Sequence, residues 1–523
     1  MKFYIRNSLK VVCIGTAMLG IIFMSYSIHH GIQYWKDSKE NLNSIESVVG
    51  SFQPSSGNLY GNIYSLDGKP MLKCLDLNTG EDITGKRTQQ TKGILYCATE
   101  SFFAPMIGYE YFGESFSDSG CAGMLAESEI KRILQANSLY SNERAVRGDS
   151  IITTIVSSAQ KEAVEQLNSY SDATLAVVNA DGAVLVNASS VDQQQEFQNS
   201  YIRNDTELPL YYISNYNAHE SLAVGSSFKT ISARVFEQNN EKFSQEWSVY
   251  NNAFDDISTV NIDGVVVSNW EINSNFNPAN YYTYCKNEIY HRNSSLADAL
   301  INSSNTYFLR HADAMGLMKY QEMLDATFQL YHQYDIGGCT LLGLQLDESN
   351  EYSKFLLPFG QAAVISPVRL ASAYNHALGG KFYLPFEITQ IRTPDDEVIF
   401  QYQPEEISEY SLKISINNDI LVDGLEKTFL SYVRQKDGTY YPMLDDFPAS
   451  FLGSGRLLAK SGTAVIDDDF DNRTMALTLL DENQDAVICT AVIAVKHVKG
   501  NTITNTELIF KLLKVMEKMG VLE

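Results

Sequence analysis
The sequence predicts an α+β fold held behind one N-terminal membrane helix, and three observations predict it. Helical and strand patterns alternate without repeat from residue 225 to the end, a hairpin pattern lies at 174–187, and one uncharged apolar run stands at 11–28. With 44% hydrophobic and 20% charged residues, the 523-residue chain can bury cores and does not read as disordered. Its 39 Lys and Arg against 63 Asp and Glu give a net charge of −24, which argues against a nucleic-acid partner, since phosphate binding needs a surplus of cations.

The run Val11 to Ile28 covers about 27 Å as a helix, enough to cross a bilayer core. Lys2, Arg6 and Lys10 precede it, and Tyr34 and Trp35 follow at interface depth. The basic flank places residues 1–10 in the cytoplasm and the rest of the chain outside, as a single-pass membrane protein with an extracytoplasmic domain. A cleaved signal peptide is the competing reading, with Ser25 and Ser27 as a poor cleavage site. Residues 29–60 are polar enough for a linker or stalk. From Gly61, short β-like runs alternate with turn signals such as Asp67-Gly68, the pattern of a small mixed module over 61–168. That module ends in an amphipathic helix with Ile155, Ala159, Ala163 and Leu167 on one face. Thr174–Val178 and Ala183–Asn187, joined by Ala180-Asp181-Gly182, form a hairpin that opens a larger domain over 172–523. The seven cysteines include no CxxC pair and the eight histidines no HExxH, so a metal site is not expected. Six cysteines lie beyond the apolar run, too irregularly spaced for a disulfide framework.

Three short motifs carry chemistry. In Gly225-Ser226-Ser227-Phe228-Lys229, the glycine and the following apolar residues read as the start of a buried helix. At i and i+3, Ser226 and Lys229 share a face. Burial and the positive helix end disfavour the ammonium form, so a neutral amine can take the serine proton. The spacing alone is weak, because Ser158 and Lys161 repeat it on what reads as a solvated face. In Ser303-Ser304-Asn305 a polar triplet interrupts two apolar helical stretches, so Ser303 and Asn305 can point into a cleft. A helix cap with a turn is the more ordinary explanation of the triplet alone, and Ser415-Ile416-Asn417 shows how easily the pattern arises by chance. Lys460-Ser461-Gly462-Thr463 reads as a strand whose glycine marks the close approach of another backbone. A peptide could lie along its edge, with Lys460 as cation and the Ser461 and Thr463 hydroxyls gripping a carboxylate. The alternative is an edge strand guarded by lysine.

The order SxxK, SxN, K[S/T]G resembles the active-site serine penicillin-recognising enzymes. Gly360-Gln361 through Ser366-Pro367, then Ala371, Ala373-Tyr374 and Gly379-Gly380, narrow the resemblance to class B penicillin-binding proteins, monofunctional transpeptidases of peptidoglycan synthesis. Asn269-Trp270, Arg147-Gly148-Asp149 to Gln160, and Gly61 to Gly68 are similar to further family segments. Val224 and Ser227 depart from the usual proline and threonine, an Asn-rich insertion occupies 237–290, and the last hairpin lacks its tryptophan. Met475–Leu480 with Ala486–Val495 must then supply that hairpin.

The resemblance implies an antiparallel sheet flanked by helices plus an all-helical part, behind a pedestal domain. It implies acyl transfer: Ser226 attacks the penultimate carbonyl of a D-Ala-D-Ala stem peptide, and an amine of a neighbouring stem resolves the acyl-enzyme. Lys229 would be the base, Ser303 the proton relay, Asn305 a substrate donor and partner of Lys229, and Lys460 the electrostatic anchor. Ser461, Gly462 and Thr463 would bind substrate, and the backbone N–H groups of Ser226 and Thr463 would form the oxyanion hole. No cofactor and no metal are implied. Implied partners are peptidoglycan stem peptides on lipid II-derived strands, β-lactams, the membrane, and a separate glycosyltransferase. A β-lactamase, a β-lactam sensor or a weakly active scaffold of the cell-wall machinery are the alternatives.

Overall fold
A computed structural model of the chain describes residues 61–76, 79–84, 94–112, 148–190, 218–239, 254–257, 259–262, 265–268, 289–335, 340–346, 352–467, 469–500 and 502–522. The expected membrane run, the stalk and Asn269-Trp270 lie outside these residues. Among the described residues no helix is long and apolar enough to cross a membrane.

Five strands make the central sheet: β1 (Ala173–Asn179), β2 (Val184–Ser189), β3 (Leu457–Val465), β4 (Phe470–Leu480) and β5 (Val487–Lys499). Their spatial order is β3-β4-β5-β1-β2, antiparallel throughout. The hairpin expected at 174–187 is β1–β2, and the last hairpin is β4–β5, each longer than the sequence pattern indicates. Both faces are covered, so β1 is apolar at nearly every position and not merely at alternate ones. Leu175 and Val177 face one core, while Ala176 and Val178 face the other.

On the first face lie the helices Ser157–Leu167 and Asn505–Lys518. The latter starts at Thr504, whose hydroxyl caps Glu507 N at 3.1 Å, and buries Leu508, Ile509, Leu512, Leu513, Val515 and Met516. At roughly 1.5–3 kcal/mol per fully buried large apolar side chain, such a face outweighs any intrinsic helix preference. Ala159, Ala163 and Leu167 enter the same core, so residues on both sides of the expected 168/172 boundary pack as one body.

On the second face the helix Pro367–Gly379 lies against β1 and β5. It starts at Ser366, which accepts from Arg369 N, and ends at Gly380 in the left-handed region. The helices Lys229–Gln238, Asn305–Met315 and Leu317–Phe328 stack beyond it through Phe236, Phe308 and Tyr320. The N-terminal module contains the sheet Glu81–Asp82, Leu72–Asp76, Ile94–Ala98, Tyr109–Phe112. A second sheet pairs Ile63–Tyr64 and Ser150–Thr153 with Ile388–Arg392 and Val398–Gln401, so a late segment of the chain ties the module down. Thr259–Ile262 pairs with Val265–Ser268 inside the Asn-rich insertion, and Phe254–Ile257 pairs with Ile289–Ser294 at its end. Cys74 and Cys489 are buried free thiols, and burial pushes both up to about 12.

Candidate active site
Ser226 does not begin an α-helix as the sequence pattern predicts. Gly225–Phe228 is a 3-10 turn, and the α-helix begins at Lys229. Gly225 has φ +55°, a left-handed conformation that cannot propagate a right-handed helix. The tighter turn suits the chemistry, because residues i and i+3 eclipse in a 3-10 turn and Ser226 stands over Lys229. Their contact is direct: Lys229 Nζ lies 2.9 Å from Ser226 Oγ. Ser226 is half-buried, whereas Lys229 is wholly buried.

Glycines fix where this turn sits. A Cβ at Gly225 would come within 2.3 Å of the Thr463 carbonyl oxygen, one at Gly462 within 2.0 Å of Val224 O, and one at Gly360 within 1.9 Å of Gly225 O. Three distant segments therefore meet backbone to backbone, which only residues without side chains allow. The expected close approach at Gly462 is the Ser226 turn itself. Gln361, beside Gly360, donates from Nε2 to Thr463 O at 2.8 Å and accepts from Val465 N at 3.4 Å. Its amide occupies the outer edge of β3 as a short substitute strand.

Ser303-Ser304-Asn305 joins the helices Leu296–Ile301 and Asn305–Met315. The cap and the cleft readings both hold, on different residues. Ser304 is the N-cap, its Oγ accepting from Tyr307 N at 3.1 Å. Ser303, at φ +54°, turns its carbonyl and hydroxyl inward. Lys229 Nζ donates to Ser303 O at 2.6 Å and to Asn305 Oδ1 at 2.7 Å, and lies 3.1 Å from Ser303 Oγ. Lys460 Nζ, also buried, lies 3.2 Å from the same Ser303 Oγ and donates to Ser461 O at 3.1 Å.

Counting hydrogens gives the chemistry. The Ser303 carbonyl and Asn305 Oδ1 can only accept, so they take two N–H bonds of Lys229. The position that faces Ser226 Oγ then holds a third hydrogen in the ammonium and a lone pair in the amine. In the amine form the site can move the Ser226 proton to nitrogen. The Ser303 hydroxyl, between two lysine nitrogens, connects them by a proton path. The four oxygens from Ser226, Ser303 and Asn305 that Lys229 Nζ meets all belong to uncharged groups.

Eight sequence-selected residues thus meet: Ser226, Lys229, Ser303, Asn305 and Lys460 through side chains, and Ser461, Gly462 and Thr463 along β3. Tyr432 and Arg473, whose side chains touch Ser461 Oγ at 2.7 Å and Thr463 Oγ1 at 2.9 Å, carry no motif that would single them out in the sequence. For Arg473 the signal is the β3–β4 register, which sets it opposite Thr463. Tyr374, seen only as part of the resembling helix, receives Thr230 Oγ1 at 2.9 Å and donates to Ser227 O, bracing the turn.

Similar folds are known. The D,D-transpeptidase domain of a peptidoglycan glycosyltransferase from Eggerthella lenta matches with TM-score 0.61 at 16% identity, covering 89% of this chain and 99% of that one. Penicillin-binding protein A from M. tuberculosis, as its imipenem acyl-enzyme complex, matches with TM-score 0.60 at 14% identity, covering 89% and 99%. Pseudomonas aeruginosa PBP2 matches with TM-score 0.55 at 14% identity, covering 88% and 96%. Among curated proteins, no sequence matches this chain. The penicillin-binding protein transpeptidase domain family matches residues 173–479, more than half the chain and all three motifs. On that match and the fold that carries it, the chain belongs to the penicillin-binding proteins with a transpeptidase domain.

Proposed function
We propose that the protein is a serine D,D-transpeptidase that cross-links peptidoglycan stem peptides through an acyl-enzyme at Ser226, and that β-lactams acylate the same serine. The observation that carries this reading is the 2.9 Å contact between Lys229 Nζ and Ser226 Oγ, with two other bonds of that nitrogen committed to carbonyl acceptors. The Ser226 proton passes to Lys229, and Oγ bonds to the penultimate carbonyl carbon of the donor stem. The C–N bond to the terminal D-alanine then breaks, and its nitrogen takes a proton through Ser303. An acceptor amine attacks the ester, and Ser226 regains its proton as it leaves. Asn305 orients Lys229 and the substrate amide, and Lys460 anchors the substrate carboxylate. The backbone N–H groups of Ser226 and Thr463 receive the developing oxyanion.

In the same reading the chain is a class B enzyme, with an anchor at 11–28, a stalk, a pedestal at 61–168 and a catalytic domain at 172–523. It would act outside the membrane beside a separate glycosyltransferase. Penicillin-binding protein A from M. tuberculosis, which shares the fold, forms an acyl-enzyme with imipenem, and this supports the covalent step. Intact-mass measurement of an ectodomain with benzylpenicillin, followed by peptide mapping, tests it. One stable adduct on Ser226 is expected. No adduct, or one elsewhere, overturns the assignment, and rapid loss of the adduct would make the protein a β-lactamase instead.

A further inference from the structure
Strand β3 offers two hydroxyls at the mouth of the site, and each is backed by a donor from outside the three motifs. Thr463 and Arg473 are cross-strand partners on β3 and β4, so their side chains leave the sheet on one face. Arg473 Nη1 donates to Thr463 Oγ1 at 2.9 Å, while Nη2 donates to Asp471 Oδ2 and to Gly500 O, both at 3.2 Å. These bonds hold the guanidinium plane still, and its side chain is 15% exposed. Arginine only donates, so this contact consumes a lone pair of Thr463 and leaves its hydroxyl hydrogen to point elsewhere. Two residues along, the Tyr432 hydroxyl lies 2.7 Å from Ser461 Oγ and accepts Ser461 N–H at 3.4 Å. With one acceptor position so used, the phenol can give its hydrogen to Ser461 Oγ, the arrangement that leaves the serine hydrogen free as well. Ser461 and Thr463 are both half-exposed, in contrast to the buried Lys460 that precedes them on the strand.

We infer that Tyr432 and Arg473 are positioning residues that set the Ser461 and Thr463 hydroxyls as paired outward donors for the carboxylate of the acyl donor. A carboxylate presents two charged acceptor oxygens, so two hydroxyls fixed as donors hold it more strongly than an ester or amide, whose carbonyl oxygen is a single neutral acceptor. This rests on the proposed acylation of Ser226, and the test separates the two.

Second-order acylation rates are measured with benzylpenicillin and with its carboxyl methyl ester, on wild type, Arg473→Gln, Arg473→Lys, Tyr432→Phe, Thr463→Val and Thr463→Val/Arg473→Gln. Absence of an adduct on wild-type Ser226 would sink the functional reading itself. Given that adduct, wild type should prefer the acid. Arg473→Gln should lower the acid-to-ester ratio about tenfold, Arg473→Lys should recover part of it, and Tyr432→Phe should lower it about threefold, each with ester rates within about twofold of wild type. The double variant should lose no more of the ratio than Thr463→Val, because Arg473 acts through that hydroxyl. Equal losses for acid and ester would make Arg473 a mere strand brace and overturn the inference, as would an unchanged ratio. If Arg473→Gln does not fold by circular dichroism, Tyr432→Phe decides alone.

Discussion
Ser158 and Lys161 repeat the spacing of Ser226 and Lys229, yet the two pairs live in opposite surroundings. Lys161 is 60% exposed and pairs at 3.7 Å with Glu165 on its own helix. Ser158 Oγ turns away, donating to Lys518 O at 3.0 Å at the end of the C-terminal helix. Lys229 is wholly buried, and besides Ser226 it bonds to residues 303 and 305, more than seventy positions along the chain. The spacing makes a serine–lysine contact possible, and remote acceptors decide whether it is a proton device or a solvated surface. Lys161 faces solvent and a carboxylate of its own helix, whereas Lys229 has its geometry fixed by carbonyls.

The sharpest way to break this contrast is to remove each lysine in turn. Lys229→Ala should slow acylation by benzylpenicillin about a thousandfold or more, because a serine without its base is a poor nucleophile at neutral pH. Lys161→Ala should leave the rate within about twofold, as expected for an exposed ion pair. Stopped-time labelling with a fluorescent penicillin reads both, with circular dichroism as the folding control. Comparable rates for the two variants would abolish the distinction.

Acid should separate the regions next. His311, on the helix that begins with Asn305, is pushed down to about 4 by burial, with Arg310 adding to the shift. His376, on the helix Pro367–Gly379, is likewise pushed down to about 4 by burial. An unfolded histidine titrates near 6.5, so the unfolded state binds more protons as pH falls from about 6.5 to 4. The contribution of each is fully present above about 6.5 and is lost toward 4, at most about 3 kcal/mol apiece. Hydrogen exchange at pH 7 and pH 5 should therefore show loosening around 305–315 and 367–379 before the helix Ser157–Leu167. Uniform loosening would contradict it.

Lys460 gives a smaller effect of a sharper kind. A charge-assisted contact to a carboxylate contributes roughly 1.5 to 3 kcal/mol, so Lys460→Ala should slow acylation about ten- to a hundredfold and Lys460→Arg less. Wild-type rates in Lys460→Ala would leave the cation as an edge-strand guard. The smallest effect belongs to Ser158: Ser158→Ala should cost about 0.5–1.5 kcal/mol in denaturant unfolding, from the lost bond to Lys518 O, with acylation unchanged. A fall in acylation would tie the Ser157–Leu167 helix to the site.

The legible parts of the fold are those with local periodicity. The β1–β2 hairpin, the amphipathic helix ending at Leu167 and the strand through Lys460 each announce themselves within a dozen residues. The pairing of Ser150–Thr153 with Ile388–Arg392 has no such signal, since its partners are separated by more than two hundred residues. The same limit governs the site. Ser226, Lys229, Ser303, Asn305 and Lys460 are readable as ordered motifs, but Tyr432 and Arg473 enter only through helix placement and strand register.

The sequence by itself determined which groups can react: a serine and a lysine three apart, a Ser-x-Asn turn, and a lysine strand, in a fixed order. It also determined where backbones could cross, because glycines stand at 225, 360 and 462. Only the tertiary structure decided which of the Ser-x-x-Lys pairs at 158 and 226 is buried and which acceptors its amine meets. It also set Gly225 at positive φ, turning the expected helix start into a 3-10 turn. The physical reason is that spacing along a chain fixes distances only over a turn or two, whereas burial and hydrogen-bond partners depend on segments whose separation in sequence carries no period.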